Sequence, residues 1–87
     1  MLFMNSSKES MIIEVWEQIG YTGNFIEEEL VLTKSFVVYS CMILIDTKHK
    51  KLTKFYEKKA PDISVPTCPL YADEINAAAR TFEILDL

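Results

Sequence analysis

An apolar run in the middle of the chain constrains the fold more than any other feature of the sequence. Between Ser35 and Asp46, nine apolar or aromatic residues are interrupted only by Ser40. β-Branched and aromatic side chains fit a pleated strand better than a helix, and no polar residue recurs at helical spacing. The run therefore predicts a strand over residues 36–45 with two apolar faces, as in a strand covered on both sides. An aspartate at Val38 or at Ile43 should then be severely destabilising.

The length of the chain limits what can cover such a strand. A domain of 87 residues buries only about 60 to 65% of the surface that its unfolded chain exposes. Apolar residues make up 49% of the chain and charged residues 25%, which is the composition of a globular domain rather than of a disordered segment. We expect one domain over residues 1–87.

Two segments have helical periodicity, one near each end of the chain. Residues 7–19 are predicted to form a helix that is capped by Ser6 and Glu9 and that stops at Gly20. From Pro69 onward the period is helical again, and proline suits a first turn. The predicted buried stripe of this second helix comprises Ile75, Ala78, Ala79, Phe82 and Leu85.

Three further segments surround the apolar run. Residues 28–34 alternate as a strand does, although Asn24 and Glu27 could instead cap a short helix. Residues 52–59 follow a polar reversal and have the lysines typical of an edge strand. Residues 60–69 contain three prolines, which predict an extended loop because proline cannot donate to a sheet ladder.

Together these segments predict an α+β domain. It has an N-terminal helix, a small antiparallel sheet of two to three strands with a long central strand 36–45, and a C-terminal helix. Two narrow helical stripes can cover only one face of such a sheet. We expect both helices on one face, and the other face or the sheet edge paired with a second copy in a homodimer. The alternative is a monomer with one helix on each face.

Charge and targeting features narrow the classes of partner. A formal net charge of −4 argues against the broad electrostatic attraction that non-specific nucleic-acid binding needs. The sequence predicts neither a secretory signal nor a membrane span, because no apolar stretch approaches the roughly 20 residues that a span requires. Cys41 and Cys68 have no spacing that favours a disulfide, so we expect free thiols in a cytoplasmic protein.

The residues with chemical potential do not form a recognisable active site. His49 lies in a lysine-rich turn without a nucleophile or carboxylate at a known spacing. Cys68 could have a low pKa only if it capped the last helix. The run from Glu27 to Glu29 is better explained as a solvated acidic surface, since adjacent side chains cannot all point one way. We therefore predict no catalytic, cofactor-binding or metal-binding residues, and a protein that is not an enzyme.

The segment 48–59 is the sharpest functional feature. It is basic and includes two aromatic residues, and lysines with aromatic rings can hold single-stranded nucleic acid. The candidate residues are Lys48, Lys50, Lys51, Lys54, Phe55, Tyr56 and Lys58. A solubilised edge strand has the same pattern, so nucleic-acid binding is the alternative hypothesis. The leading hypothesis is a small acidic protein-interaction or regulatory module that acts as a homodimer.

Overall fold

The chain folds as a four-stranded antiparallel meander with a helix at each end, as seen in a computed structural model that describes residues 6–62, 64 and 67–87. The elements of these residues are α1 (Ser6–Glu17), β1 (Thr22–Ile26), β2 (Glu29–Ser35), β3 (Tyr39–Asp46), β4 (Lys51–Lys58) and α2 (Ala72–Leu85). The strands are neighbours in chain order, so β1 and β4 are the edges. The predicted α+β class with terminal helices is confirmed, although the sheet has one strand more than the predicted maximum of three. Part of the predicted proline loop 60–69 lies outside the described residues.

Helix α1 stops before the predicted glycine, although its last residue is Glu17 instead of residue 19. Gly20 has φ 92°, and its N–H donates to the Glu17 carbonyl at 3.0 Å, while the Tyr21 N–H donates to the Trp16 carbonyl at 3.0 Å. This pair of bonds is a Schellman motif, which satisfies the last carbonyls of the helix. At the other end the helix includes Ser6 itself, so the predicted cap at Ser6 is wrong, and the position before the helix lies outside the described residues.

Strand β1 is the element that the sequence did not predict. It pairs with β2 from Thr22 opposite Thr33 to Ile26 opposite Glu29, so the short helix considered for this region is wrong. A side chain at position 23 would be crowded, because a Cβ on Gly23 would lie 3.1 Å from the Leu32 side chain. Glycine and asparagine have low strand propensity, and their presence in β1 hid the strand.

The apolar run contains a turn as well as a strand. Ser35 pairs with Ser40, and the Phe36 N–H donates to the Tyr39 carbonyl at 2.8 Å, so residues 36–38 form the β2–β3 turn and β3 begins at Tyr39. Val37 at the tip is 93% exposed. The predicted strand 36–45 is thus wrong over its first three residues, because the turn forms without the glycine, proline or asparagine that usually marks one.

Both helices lie on the same face of the sheet. One row of paired residues on this face runs from Gly23 through Leu32 and Ile43 to Lys54. A Cβ on Gly23 would be 3.4 Å from Ile13 of α1, and at the opposite end of the row Lys54 forms an ion pair with α2. The largest fully buried apolar side chains are Ile12, Trp16, Leu30, Leu32, Ile43, Ile45 and Ile84. The predicted helix placement is therefore observed.

The buried side of α2 differs from the predicted stripe. The buried residues are Glu74, Ala77, Ala78, Thr81 and Ile84, whereas Ile75 is 53% exposed. The helix starts at Ala72, three residues after Pro69. Two polar residues, Glu74 and Thr81, point inward because they bind partners on other elements. The sequence prediction placed polar residues towards solvent, so the predicted buried side of α2 is rotated by about one residue from the observed one.

Among the described residues, no helix combines the length and the apolar character needed to cross a membrane.

Candidate functional site

The face of the sheet opposite the helices carries a diagonal apolar stripe. Val31 of β2 stands opposite Leu44 of β3, and Met42 of β3 stands opposite Phe55 of β4. Ile26 extends the line at the end of β1 and is 62% exposed, and Phe55 is 38% exposed. We call these five residues the open-face stripe. No helix packs over them within the described part of the chain.

Polar residues border the open-face stripe on both sides. Thr22, Asn24, Thr33 and Ser40 lie on one side, and Glu29, Asp46, Lys51 and Thr53 lie on the other. An apolar centre with a polar rim is the usual composition of a protein interface. A solvated face of an antiparallel sheet would instead present polar side chains across all strands.

A second feature is a cleft of about 230 Å³ beside the first turn of α2. Its walls come from α2, from the three strands β2 to β4 and from the β2–β3 turn. The lining residues are Tyr21, Lys34, Phe36, Tyr39, Cys41, Lys54, Tyr56, Tyr71, Asp73 and Glu74. We call it the tyrosine cleft, because all four tyrosines of the chain contribute to it.

The buried ion pair of Lys54 and Glu74 lies at one wall of the tyrosine cleft. Lys54 Nζ is 2.6 Å from Glu74 Oε1, and its side chain is only 3% exposed. The same ammonium donates to the Pro69 carbonyl at 2.7 Å and lies 4.3 Å from the centre of the Tyr71 ring. The Tyr21 hydroxyl donates to Glu74 Oε2, and the Tyr71 N–H donates to Oε1 at 2.9 Å. Both carboxylate oxygens are thus satisfied.

These contacts move the pKa of both ionic groups towards their charged forms. Burial disfavours the Glu74 carboxylate, but hydrogen bonds from Lys54 and Tyr21 outweigh it and hold the pKa of Glu74 below its ordinary value. Burial likewise disfavours the ammonium of Lys54, yet the hydrogen bond to Glu74 leaves the pKa of Lys54 raised. The pair is therefore charged at neutral pH.

The hydroxyls of Tyr21 and Tyr56 in the tyrosine cleft are held in their neutral forms, and so is the thiol of Cys68 in the loop before α2. Burial, together with hydrogen bonds to Cys41 and Glu74, raises the pKa of Tyr21. Burial and a hydrogen bond to Tyr71 raise the pKa of Tyr56. Burial also raises the pKa of the Cys68 thiol, and the N-cap of α2 is Tyr71 instead of Cys68. Cys68 does not have the low pKa that helix capping would have given it.

The seven candidate nucleic-acid residues are divided among different surfaces. Lys54 and Tyr56 point to the helix-covered face, whereas Phe55 belongs to the open-face stripe. Lys50 Nζ pairs with Asp86 at the end of α2, at 2.6 Å. The remaining candidates, Lys48, Lys51 and Lys58, are exposed. Phe55 and Tyr56 therefore cannot form a stacking platform together, and Lys54 is not available to a phosphate.

Sequence reasoning identified the apolar character of both faces of β3 but missed the tyrosine cleft. Tyr21, Tyr39, Tyr56 and Tyr71 are at least fifteen residues apart in the chain, and only the pairing of β3 with β4 and the docking of α2 bring them together. The even spread of tyrosines gave no local pattern that could have indicated a shared site.

Comparisons of this chain with protein-family models, with curated proteins and with solved structures find no match.

Proposed function

We propose that this protein is a non-enzymatic interaction module that works as a homodimer through the open-face stripe. The single observation that carries the proposal is the position of the stripe on the face opposite both helices. Burying apolar surface is favourable by roughly 25 cal/mol per Å². A second sheet packed face to face supplies such burial, and two sheets pack about 10 Å apart with their inner side chains interdigitated.

A second copy suits this surface because a two-fold interface uses the same patch on both partners. The open-face stripe contains no charged residue, so two copies can meet along it without opposing like charges. Its rim carries both signs, with Glu29 and Asp46 on β2 and β3 and Lys51 on β4. Rim charges of both signs can pair across the two-fold axis and fix the orientation of the copies.

Sedimentation equilibrium over a dilution series tests the proposal. We expect the unaltered protein to sediment as two chains and to dissociate on dilution. Phe55→Lys should weaken the dimer by about 100-fold or more, because burying an unpaired charge costs several kcal/mol. Phe55 is already 38% exposed, so the monomer should tolerate the lysine.

Val37→Lys is the matched control. It also replaces an exposed apolar side chain with a lysine, but it lies at the tip of the β2–β3 turn, outside the open-face stripe. The dimer should keep its dissociation constant in this variant. A protein that stays monomeric at every concentration, or equal dissociation of both variants, would contradict the proposal.

Single-stranded nucleic-acid binding through residues 48–59 is the weaker candidate function. The division of Lys54, Phe55 and Tyr56 between two faces removes the combination of charge and stacking surface on which that hypothesis rested.

A further inference from the structure

The tyrosine cleft gathers one residue type from four separate parts of the fold. Tyr21 follows α1, Tyr39 lies in β3, Tyr56 lies in β4, and Tyr71 precedes α2. Tyrosine combines a flat apolar body with a polar tip, and it is enriched where proteins bind other molecules. The chain has only four tyrosines, so their convergence on one concave surface is a feature of the molecule that core packing alone does not require.

The aromatic side chains form a continuous row along the cleft. The Phe36 and Tyr39 ring centres are 5.0 Å apart, and the Tyr39 and Tyr56 ring centres are also 5.0 Å apart. The Lys54 ammonium lies 5.7 Å from the centre of the Tyr56 ring and 4.3 Å from that of Tyr71, so Tyr71 adjoins the row at its other end. Phe36 is partly exposed in the β2–β3 turn, which places one end of the row at the mouth. A planar ring can pack against such a row in an offset or edge-to-face arrangement.

The charges around the cleft favour an anion. The charges of Lys54 and Glu74 cancel, and three donors already bind the Glu74 carboxylate, which is only 4% exposed and so presents little acceptor surface to a cationic guest. Lys34 is half-buried and donates to the Ile19 carbonyl at 2.8 Å, but among the described residues it has no acidic partner. Its ammonium carries three donors, so it can also bind a carboxylate.

Asp73 is a second acidic residue in the lining, and its charge opposes an anion. It lies in the first turn of α2 and is exposed, so water and salt screen its charge. Lys34, which is half-buried, is screened less. The interior of the cleft therefore carries one positive charge in excess, from Lys34.

We propose that the tyrosine cleft binds a small molecule with one planar aromatic ring and one carboxylate, with the ring against Tyr39 and Tyr56 and the carboxylate beside Lys34. The volume of about 230 Å³ lies below the range of roughly 300 to 1,000 Å³ that is typical for drug-sized ligands, so a single ring is the size class that fits. This inference is independent of the dimer, because the cleft is on the helix-covered side of the sheet.

An NMR titration of the full chain with 4-hydroxybenzoate tests this inference. We expect saturable shifts of the Lys34, Tyr39, Tyr56 and Tyr71 signals with a dissociation constant of about 1 mM, as suits a ligand of about ten non-hydrogen atoms. The neutral analogue 4-hydroxybenzyl alcohol should bind about 10-fold more weakly, since it keeps the ring and loses the charge.

Two lysine variants provide the matched comparison. Lys34→Met should weaken the binding of 4-hydroxybenzoate to the level of the alcohol, whereas Lys48→Met, at an exposed position of the turn between β3 and β4, should leave it unchanged. If Lys34→Met does not fold, the affinities of the unaltered protein for the acid and for the alcohol test the inference without the variant. The inference is overturned if no saturable shift occurs up to about 10 mM, if the alcohol binds as tightly as the acid, or if the shifts lie on the open-face stripe.

Discussion

At the scale of single residues, Glu74 determines which side of α2 faces the sheet. Its carboxylate accepts from Lys54 of β4, from the Tyr21 hydroxyl and from the backbone N–H of Tyr71. Two helical turns later on the same side, the Thr81 hydroxyl accepts from Trp16 Nε1 at 2.8 Å. Removing the partners of a buried charge costs about 3 to 5 kcal/mol. A rotation of α2 by one residue would leave both groups without their partners.

The lowered pKa of Glu74 predicts a specific loss of stability in acid. A carboxyl group with a folded-state pKa below its ordinary value of 4.5 stabilises the fold fully above that value, and the contribution is lost as pH falls through the lowered pKa. Urea unfolding from neutral pH to about pH 3 should therefore show a falling free energy of unfolding. Glu74→Gln should be less stable at neutral pH and should have a flatter acid limb. Parallel pH profiles of the two proteins would contradict the charged state assigned to Glu74.

At the scale of helices and strands, the elements that the sequence predicted well are those in which several local signals agree. The spacing of Ile12 and Trp16 and the glycine stop at Gly20 indicate the same helix, and α1 forms there. The signals conflict in β1. The close approach of α1 leaves little room for a side chain at Gly23 and so favours glycine there, whereas glycine has a low propensity for strands. Such a tertiary contact cannot be read from a local pattern.

Turns and buried polar groups account for the other differences. The turn at residues 36–38 consists of Phe36 and two valines, whose strand propensity hides it. Glu74 is buried because of Lys54, which lies twenty residues earlier in the chain. The tyrosine cleft depends on the same long-range pairing. The predicted apolar character of both faces of β3 needed no long-range information, since it follows from alternation alone.

Two aspartate substitutions distinguish the strand from the turn in the apolar run. Ile43 is fully buried in the middle of β3, so Ile43→Asp should cost several kcal/mol, a large part of the roughly 5 to 15 kcal/mol of a typical domain. Val38 is 40% exposed in the turn, so Val38→Asp should change the free energy of unfolding by only about 0.5 kcal/mol. This corrects the expectation from the sequence that both changes are severe.

Thermal unfolding followed by circular dichroism compares these variants. Each kcal/mol corresponds to about 4 to 8 °C for a domain of this size, so Ile43→Asp should melt far below the unaltered protein or fail to fold. Val38→Asp should melt within a few degrees of it. If the melting temperature fell by the same large amount in both variants, residues 36–38 would have to be buried, which would contradict their assignment to an exposed turn.

At the scale of the whole molecule, both helices pack on one face of the sheet. The Trp16–Thr81 hydrogen bond joins α1 to α2, and the row from Gly23 to Lys54 places the two helices over opposite ends of the same surface. The described residues contain no further helix that could cover the open-face stripe. We therefore propose that a second copy of the chain covers it.

An isotope-filtered NOE experiment on a mixture of labelled and unlabelled chains tests the proposed homodimer. It detects only contacts between different copies. The proposed homodimer predicts intermolecular NOEs among the side chains of the open-face stripe, above all between the methyl groups of Val31, Met42 or Leu44 of one copy and the Phe55 ring of the other. Intermolecular NOEs from the exposed side of α2, or none from a protein that remains monomeric, would contradict it.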